Sequence, residues 1–364
     1  MKIAIVSPAN NVHTMRWANA MAGRGHSVTV FSCADHAPNK NVVYRAEVKI
    51  ITLRFSAPLG YYLNAWSLKK QVKGGGFDVI NVHYASGYGT LARRAKLKDA
   101  LLNVWGSDVY EFPYYNAFNM RTIKKNLNYF KKLASTSYCM ARQTKTLVNR
   151  EFEITPFGVD TELFKPLSVE RDNSRFVFGT VKTLSPKYGV TDSINAFIKV
   201  YNRLISEGKA ELASKLCYEI YGKGEQKEEL QKLIDDNGMS DRIALRGFIE
   251  NNKLPQVYNG FDVAVYASVT NSESFGVAAV EAMACGVPVC ATDADGFVEV
   301  IEDGKCGFIS PKCDVDALAN NMYTLLLDEN LRAKMGAAGV ERVTRLYDWN
   351  DNVDIMEGIY NSLK

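Results

Sequence analysis

Short apolar runs alternate with amphipathic stretches along the first half of the chain. Runs at 2–7, 27–32, 48–53, 77–83, 100–105 and 133–137 read as strands, and 14–23 and 86–97 carry helical spacing between them. Such βαβα alternation predicts a parallel sheet covered by helices. Residues 157–173 make neither a good helix nor a good strand, hold Pro166, and read as a linker. The pattern then restarts. Strands are expected at 176–181, 217–221, 243–246, 263–267 and 288–292, and helices at 192–204, 226–236 and 277–285. Two Rossmann-like domains in tandem are the economical reading, with residues 349–363 an amphipathic helix that packs back. Domains are expected over 1–160, completed by about 347–364, and over 161–346.

The 364-residue length suits two domains. A composition of 47% hydrophobic and 23% charged residues excludes wholesale disorder. No window approaches 18 consecutive apolar residues, so no membrane span is expected, and residues 1–6 read as a first strand rather than a signal peptide. Seven cysteines without a Cys-x-x-Cys pair argue against a disulfide framework or a zinc site, and a reducing cytoplasm is the simple expectation.

The net charge of +4 hides an asymmetry. Residues 1–165 carry 23 Lys and Arg against 10 Asp and Glu, whereas the remainder carries 21 against 30. The positive charge clusters at Lys69, Lys70 and Lys73, at Arg93, Arg94, Lys96 and Lys98, and at Arg121, Lys124, Lys125, Lys131 and Lys132. The last group is expected to share a helix with Ile123, Leu127 and Phe130. Tyr61, Tyr62, Trp66, Tyr114, Tyr115 and Phe118 lie nearby in sequence. A basic amphipathic surface with aromatics suits an anionic membrane face; a solvated charged face is the plain alternative. No nucleic-acid motif accompanies the charge, and no nucleic-acid partner is expected.

Ligands of open α/β sheets sit beyond the carboxyl ends of the strands. That rule selects Asn10, Asn11 and His13, then the segment from His83 to Gly89, then Trp105 to Asp108. One segment outweighs these: Glu273-Ser274-Phe275-Gly276-Val277, leading through Glu281 to Gly286-Val287-Pro288-Val289. From Val277 it is a small-residue helix. Its N-terminus offers N–H groups and a positive dipole end to a phosphate, and Gly276 lets the backbone approach an anion. Helical rise sets the backbones of Glu273 and Glu281 roughly 12 Å apart. A retaining carboxylate pair needs about 5–5.5 Å. Two carboxylates gripping opposite ends of an elongated ligand, with a diphosphate between them, fit better.

Glu273 and Glu281, separated by seven residues and followed by a small-residue helix and Gly-x-Pro-Val, resemble the signature of glycosyltransferase family 4. Thr155 to Asp160, Gly179 to Lys187, Tyr221 to Glu225, Arg246 to Ile249, Gly296 to Glu299 and Gly304 to Phe308 are similar to that family's other landmarks. The resemblance covers most of the chain and is clearest over 150–310. It implies a retaining, nucleotide-sugar-dependent enzyme of GT-B architecture, two doubly wound α/β domains facing a central cleft. By that resemblance Glu281 holds the ribose hydroxyls and Glu273 contacts the donor sugar beside the reacting carbon. Ser274, Phe275, Gly276 and Val277 hold the diphosphate or sugar. Phe248 and Ile249 border the base, and Gly222 belongs to the same donor-binding set. Lys182 and Lys187 match the family's basic pair and stabilise charge growing on the leaving diphosphate. They remove the need for a divalent metal, so no cofactor is expected.

Several positions depart from the family. Lysine at 182 replaces the usual arginine, so bidentate clamping is lost. Lys187-Tyr188-Gly189 replaces the commoner Lys-Gly. Trp105 stands where many members have a histidine; either Asp108 or His83 supplies the polar contact, or this subgroup does without it. Asn11 and His13 occupy the place of a Gly-Gly loop and are expected on the acceptor side with His83. Asp293-Ala294-Asp295 matches a metal motif of another glycosyltransferase fold but follows a second-domain strand, and no metal is expected there.

The expected activity is transfer of a hexose or N-acetylhexosamine from a nucleotide-diphosphate sugar to a glycan or lipid-linked saccharide in cell-surface polysaccharide synthesis. Uridine is the expected base, and the acceptor a saccharide or polyprenyl-diphosphate-linked saccharide at the inner face of the plasma membrane. A nucleotide-sugar epimerase of the same fold and a non-catalytic sugar-nucleotide-binding subunit are the alternatives. A dehydrogenase is disfavoured, since no Gly-x-Gly-x-x-Gly follows the first strand.

Overall fold

A computed structural model describes residues 1–40, 42–168, 172 and 174–364. Contacts divide the chain into two compact units. One holds residues 1–157 and 350–364; the other holds 158–349.

The first unit is built on β1 (Lys2–Val6), β2 (Ser27–Ser32), β3 (Lys49–Thr52), β4 (Val79–His83), β5 (Leu101–Val104), β6 (Lys132–Ser135) and β7 (Glu153–Ile154). They form one parallel sheet in the order β3-β2-β1-β4-β5-β6-β7. The second unit repeats the plan with β8 (Phe176–Val181), β9 (Leu216–Tyr221), β10 (Ile243–Gly247), β11 (Val263–Tyr266), β12 (Val289–Thr292) and β13 (Gly307–Ser310), ordered β10-β9-β8-β11-β12-β13. Both are Rossmann-like, doubly wound α/β sheets. Their central strands are near-continuous apolar runs because helices cover both faces. The chain reverses its direction of winding between β1 and β4 and between β8 and β11. Crevices beyond those strand ends are where ligands bind in such sheets.

The helices follow from amphipathic spacing and local caps. Val190–Ser206 buries Ile194, Phe197, Val200 and Leu204 on one stripe and packs on the helix Val315–Leu327. Asn11 caps Val12–Gly23 by accepting the His13 N–H at 2.8 Å, and Asp314 caps Val315–Leu327 through Ala317 N–H at 2.9 Å.

Three sequence expectations shift. The basic helix ends at Leu127; Lys132 opens β6, and Phe130 is buried in the core instead of extending the helical stripe. The segment expected as a linker is largely part of the second unit: Val159 bridges Asp348, its N–H reaching the Tyr347 carbonyl at 2.8 Å, and Phe164 is buried. Residues 169–171 and 173 of that expected linker lie outside the described residues. Third, β7 and β13, with the helices Ala65–Gly75 and Glu329–Leu346, add to the elements read from the pattern.

Candidate functional site

In the second unit the strand ends at the winding reversal carry the charged side chains. Lys182 follows β8, and its ammonium pairs with the Glu273 carboxylate, both side chains being largely buried. Ser268, just after β11, donates its hydroxyl to the same carboxylate oxygen at 3.2 Å. Backbone bonds fix the loops that carry these groups. Lys182 N–H reaches the Tyr221 carbonyl at 2.9 Å, Leu184 N–H the Lys223 carbonyl at 3.1 Å, and Val269 N–H the Lys187 carbonyl at 3.0 Å. Gly222 lies on this stitched edge, donating to Gly247 at 2.8 Å.

The small-residue helix runs Val277–Ala284, so Glu273 sits in the loop before it rather than on its rise. Gly276 caps it at φ 81°, a left-handed conformation that glycine adopts without strain. The first N–H groups of such a helix have no acceptor within it and carry the positive end of its dipole. Behind the loop, Gly296 N–H donates to the Glu273 carbonyl at 2.9 Å. A Cβ at Gly296 would lie 2.5 Å from Phe275 N and 2.6 Å from Glu273 O, so the approach requires glycine. Ser274 and Phe275 are buried in this loop.

Glu281 projects from the helix and accepts the Tyr258 hydroxyl at 2.8 Å. Burial, reinforced by the Glu281 charge, holds the Tyr258 phenol far above its ordinary range, so it stays a donor. At the far edge Phe248 is 62% exposed, with Lys223 Nζ 4.9 Å from its ring centroid, and Ile249 is half-buried. Tyr188 links the basic residues: Lys182 Nζ lies 4.5 Å and Lys187 Nζ 5.3 Å from its ring centroid. Ser268 and Tyr258 escape the sequence reading, and Tyr188 enters it without a role. Only the Tyr188 insertion left a signal, in the altered Lys-Gly spacing.

The first unit gathers aromatic rings at its own winding reversal. His13 stacks on Phe157 at 3.9 Å, and Trp105 lies 5.8 Å from His13, 4.3 Å from His83 and 5.0 Å from Tyr84, centroid to centroid. His83 is fully buried; its Nδ1 meets Ser7 Oγ at 3.2 Å, and its Nε2 finds no hydrogen-bond partner among the described residues. Burial, with Arg16 beside His13 and His13 beside His83, lowers both imidazoles to about 3, so both are neutral near pH 7. Asn11 is spent on its helix cap.

The Asp108 carboxylate is engaged by backbone amides of its own unit. One carboxylate oxygen accepts Ala85 N–H at 2.8 Å; the other accepts Trp105 and Gly106 N–H at 3.1 and 2.9 Å. Burial raises its pKa against the pull of those bonds. The residue is 1% exposed and ties two loops together. Asp293 is engaged by Lys312, whose N–H and Nζ meet its carboxylate at 2.8 and 2.9 Å. Among the described residues, no group of three metal-ligating side chains draws together.

Helices of the first unit carry exposed basic charge. The helices Gly60–Leu63 and Ala65–Gly75 pack on Gly87–Arg94, which packs on Ala117–Leu127. Trp66 is 74% exposed and Leu59 68%, and Leu63, Tyr114, Tyr115 and Phe118 are also exposed. Lys70 lies 5.6 Å from the Trp66 ring and Arg94 4.5 Å from that of Tyr62. Lys73, Lys96, Lys98, Arg121, Lys124 and Lys125 stand exposed around them. No helix among the described residues is long and apolar enough to cross a membrane.

Comparison with known proteins agrees with this geometry. The family model for glycosyl transferases group 1 matches residues 164–342, and that for glycosyl transferase 4-like proteins matches residues 2–137. A GDP-mannose-dependent alpha-(1-6)-phosphatidylinositol monomannoside mannosyltransferase of Mycobacterium tuberculosis is 31% identical over 54% of this chain and 52% of its own. The chain thus spans about half the length of that curated relative. A phosphatidyl-myo-inositol mannosyltransferase of Mycobacterium leprae is 26% identical over 93% of this chain and 88% of its own. Among solved structures, sucrose-phosphate synthase from Thermosynechococcus elongatus superposes with a TM-score of 0.81 at 19% identity, covering 100% of this chain and 99% of that one. Anabaena HepE in complex with UDP gives 0.79 at 19% identity, covering 100% of both. Two parallel Rossmann-like sheets, a Glu-x7-Glu segment at the second winding reversal and both family matches place this chain among the group 1 glycosyl transferases of GT-B fold.

Proposed function

We propose that the protein transfers a hexose from a nucleoside-diphosphate sugar to an acceptor hydroxyl, with retention at the anomeric carbon. The observation that carries this reading is the convergence of Lys182, Ser268 and Glu273 beside the N-terminus of Val277–Ala284, with Glu281 one turn inside that helix. The diphosphate takes the helix N-terminus and the two lysines; Glu281 takes the ribose hydroxyls. Glu273, released from Lys182 by the arriving phosphate, takes a sugar hydroxyl. The anomeric C–O bond to phosphate then breaks and the acceptor oxygen bonds to the same face, its proton passing to the departing phosphate oxygen. Lys182 and Lys187 supply the charge that a divalent ion would otherwise bring, which supports a metal-independent reaction.

The uridine expectation faces relatives named for GDP-mannose, so the base is the first point to test. A thermal-shift panel of UDP, GDP and ADP with their hexoses resolves it: one nucleotide should raise the melting temperature, and none doing so overturns the donor site. Glu281→Gln keeps the Tyr258 contact but loses the charge on the ribose. The affinity of the selected nucleotide should fall about 10–100-fold, the range of a charged hydrogen bond. Full affinity in isothermal titration would refute the ribose role.

The acceptor reading rests on the basic aromatic face. We place the enzyme peripherally at the inner face of the plasma membrane, that face lying on anionic lipid and the acceptor being a lipid-linked saccharide. Each basic residue near such a surface contributes about 1 kcal/mol, and exposed Trp66, Leu59 and Phe118 supply apolar area to the interface. Reversing Arg121, Lys124 and Lys125 to glutamate should cut partition into phosphatidylglycerol vesicles at least ~100-fold. Equal sedimentation of the unaltered protein with neutral and anionic vesicles would remove the membrane from this account.

A further inference from the structure

We infer that Tyr188 is a positioning residue for the donor diphosphate, its ring holding the Lys182 and Lys187 ammonium groups together; this rests on the donor reading above. Both lysines lie beside this one ring, at 4.5 and 5.3 Å from its centroid. They are thus within ~10 Å of each other, about a Debye length at 0.1 M salt. Two ammonium groups so placed repel, and once the arriving phosphate frees Lys182 from Glu273 its long stem can relieve the repulsion by swinging away from Lys187. A tyrosine ring presents a negative quadrupole to each and opposes that drift.

The backbone makes the ring a fixed platform. Tyr188 closes the tight turn Pro186–Tyr188, its N–H donating to the Ser185 carbonyl at 3.0 Å. The Lys187 carbonyl accepts Val269 N–H at 3.0 Å, tying this turn to the loop after β11. Gly189 follows in a left-handed conformation, and its Cα faces the Ala267 carbonyl so closely that a Cβ would stand 1.8 Å from the oxygen. The ring is half-buried. When the diphosphate replaces Glu273 as the partner of Lys182, the ring remains beside both ammonium groups. Lysine at 182 cannot make the rigid two-pronged contact of a guanidinium. A shared ring restores part of that order.

The test compares nucleoside diphosphate with monophosphate, GDP against GMP and UDP against UMP, by isothermal titration on Tyr188→Leu and Tyr188→Phe. Tyr188→Leu should weaken the diphosphate about 3–20-fold, shrinking the gain over the monophosphate by the same factor. Tyr188→Phe keeps the ring and should restore that gain. Tyr188→Met serves in place of leucine if the leucine protein does not fold. An unchanged diphosphate-to-monophosphate ratio in the leucine or methionine protein overturns the inference, as does a phenylalanine protein no better than leucine. Failure of the unaltered protein to bind either diphosphate overturns the donor site and this inference with it.

Discussion

Lys182→Met should reduce turnover about 10²–10³-fold, the cost of removing one preorganised charge from a transition state. It should also destabilise the second unit. Glu273 is 8% exposed and would keep only the Ser268 hydroxyl as a partner from the present trio. Breaking a buried ion pair from one side costs about 3–5 kcal/mol. In a domain of this size that corresponds to a melting point lower by roughly 6–20 °C. The two effects separate in the double variant Lys182→Met with Glu273→Gln. An uncharged amide tolerates the same burial, so the melting temperature should recover while activity stays lost. Calorimetry and initial rates on both proteins decide it. Near-normal turnover in Lys182→Met would remove the lysine from the chemistry.

Gly296→Ala should be nearly as damaging to catalysis with a smaller effect on stability. The new methyl meets Phe275 N, Glu273 O and Ser274 C at 2.5, 2.6 and 2.8 Å, all backbone atoms that cannot rotate aside. The Glu273–Phe275 loop must therefore shift. Displacing a reacting geometry by about 1 Å can cost 10²-fold, whereas overpacking costs about 1–3 kcal/mol. The expected result is kcat/KM down about 100-fold with the protein still folded at 25 °C. Unchanged kcat/KM would mean that the loop's position does not govern the reaction.

The Rossmann pattern was legible because its strands are apolar runs with few polar interruptions and its helices carry clean stripes. β1 and β8 were found within a residue for that reason. The end of the basic helix was missed because Phe130 continues its apolar spacing past Leu127, where the chain has turned toward β6. β7 is only two residues long and gives periodicity nothing to act on. Within the site, Glu273, Glu281, Lys182 and Gly276 were legible as a spaced motif. Their partners were not. Tyr258 lies 23 positions before the Glu281 it serves, and Lys182 lies 91 before Glu273, so only the sheet order brings them together. The amide partners of Asp108 leave no trace in the sequence, because a carboxylate after a strand end looks the same there whether it meets a ligand or three backbone amides.

The return of residues 350–364 to the first unit has a consequence for synthesis on the ribosome. The Tyr360 hydroxyl accepts from the buried Asn81 amide at 2.5 Å, Glu357 takes Arg24 at 2.9 Å and His26 at 2.8 Å, and Lys131 reaches the Leu363 carbonyl at 3.1 Å. All of residues 158–349 emerge before that helix does. At about 5–20 residues per second the wait is roughly 10–40 s. During it the nascent first unit exposes the flank that Met356, Ile359 and Tyr360 later seal. The unit translated second is thus the first able to reach its finished form, and the one translated first is the natural client for a chaperone.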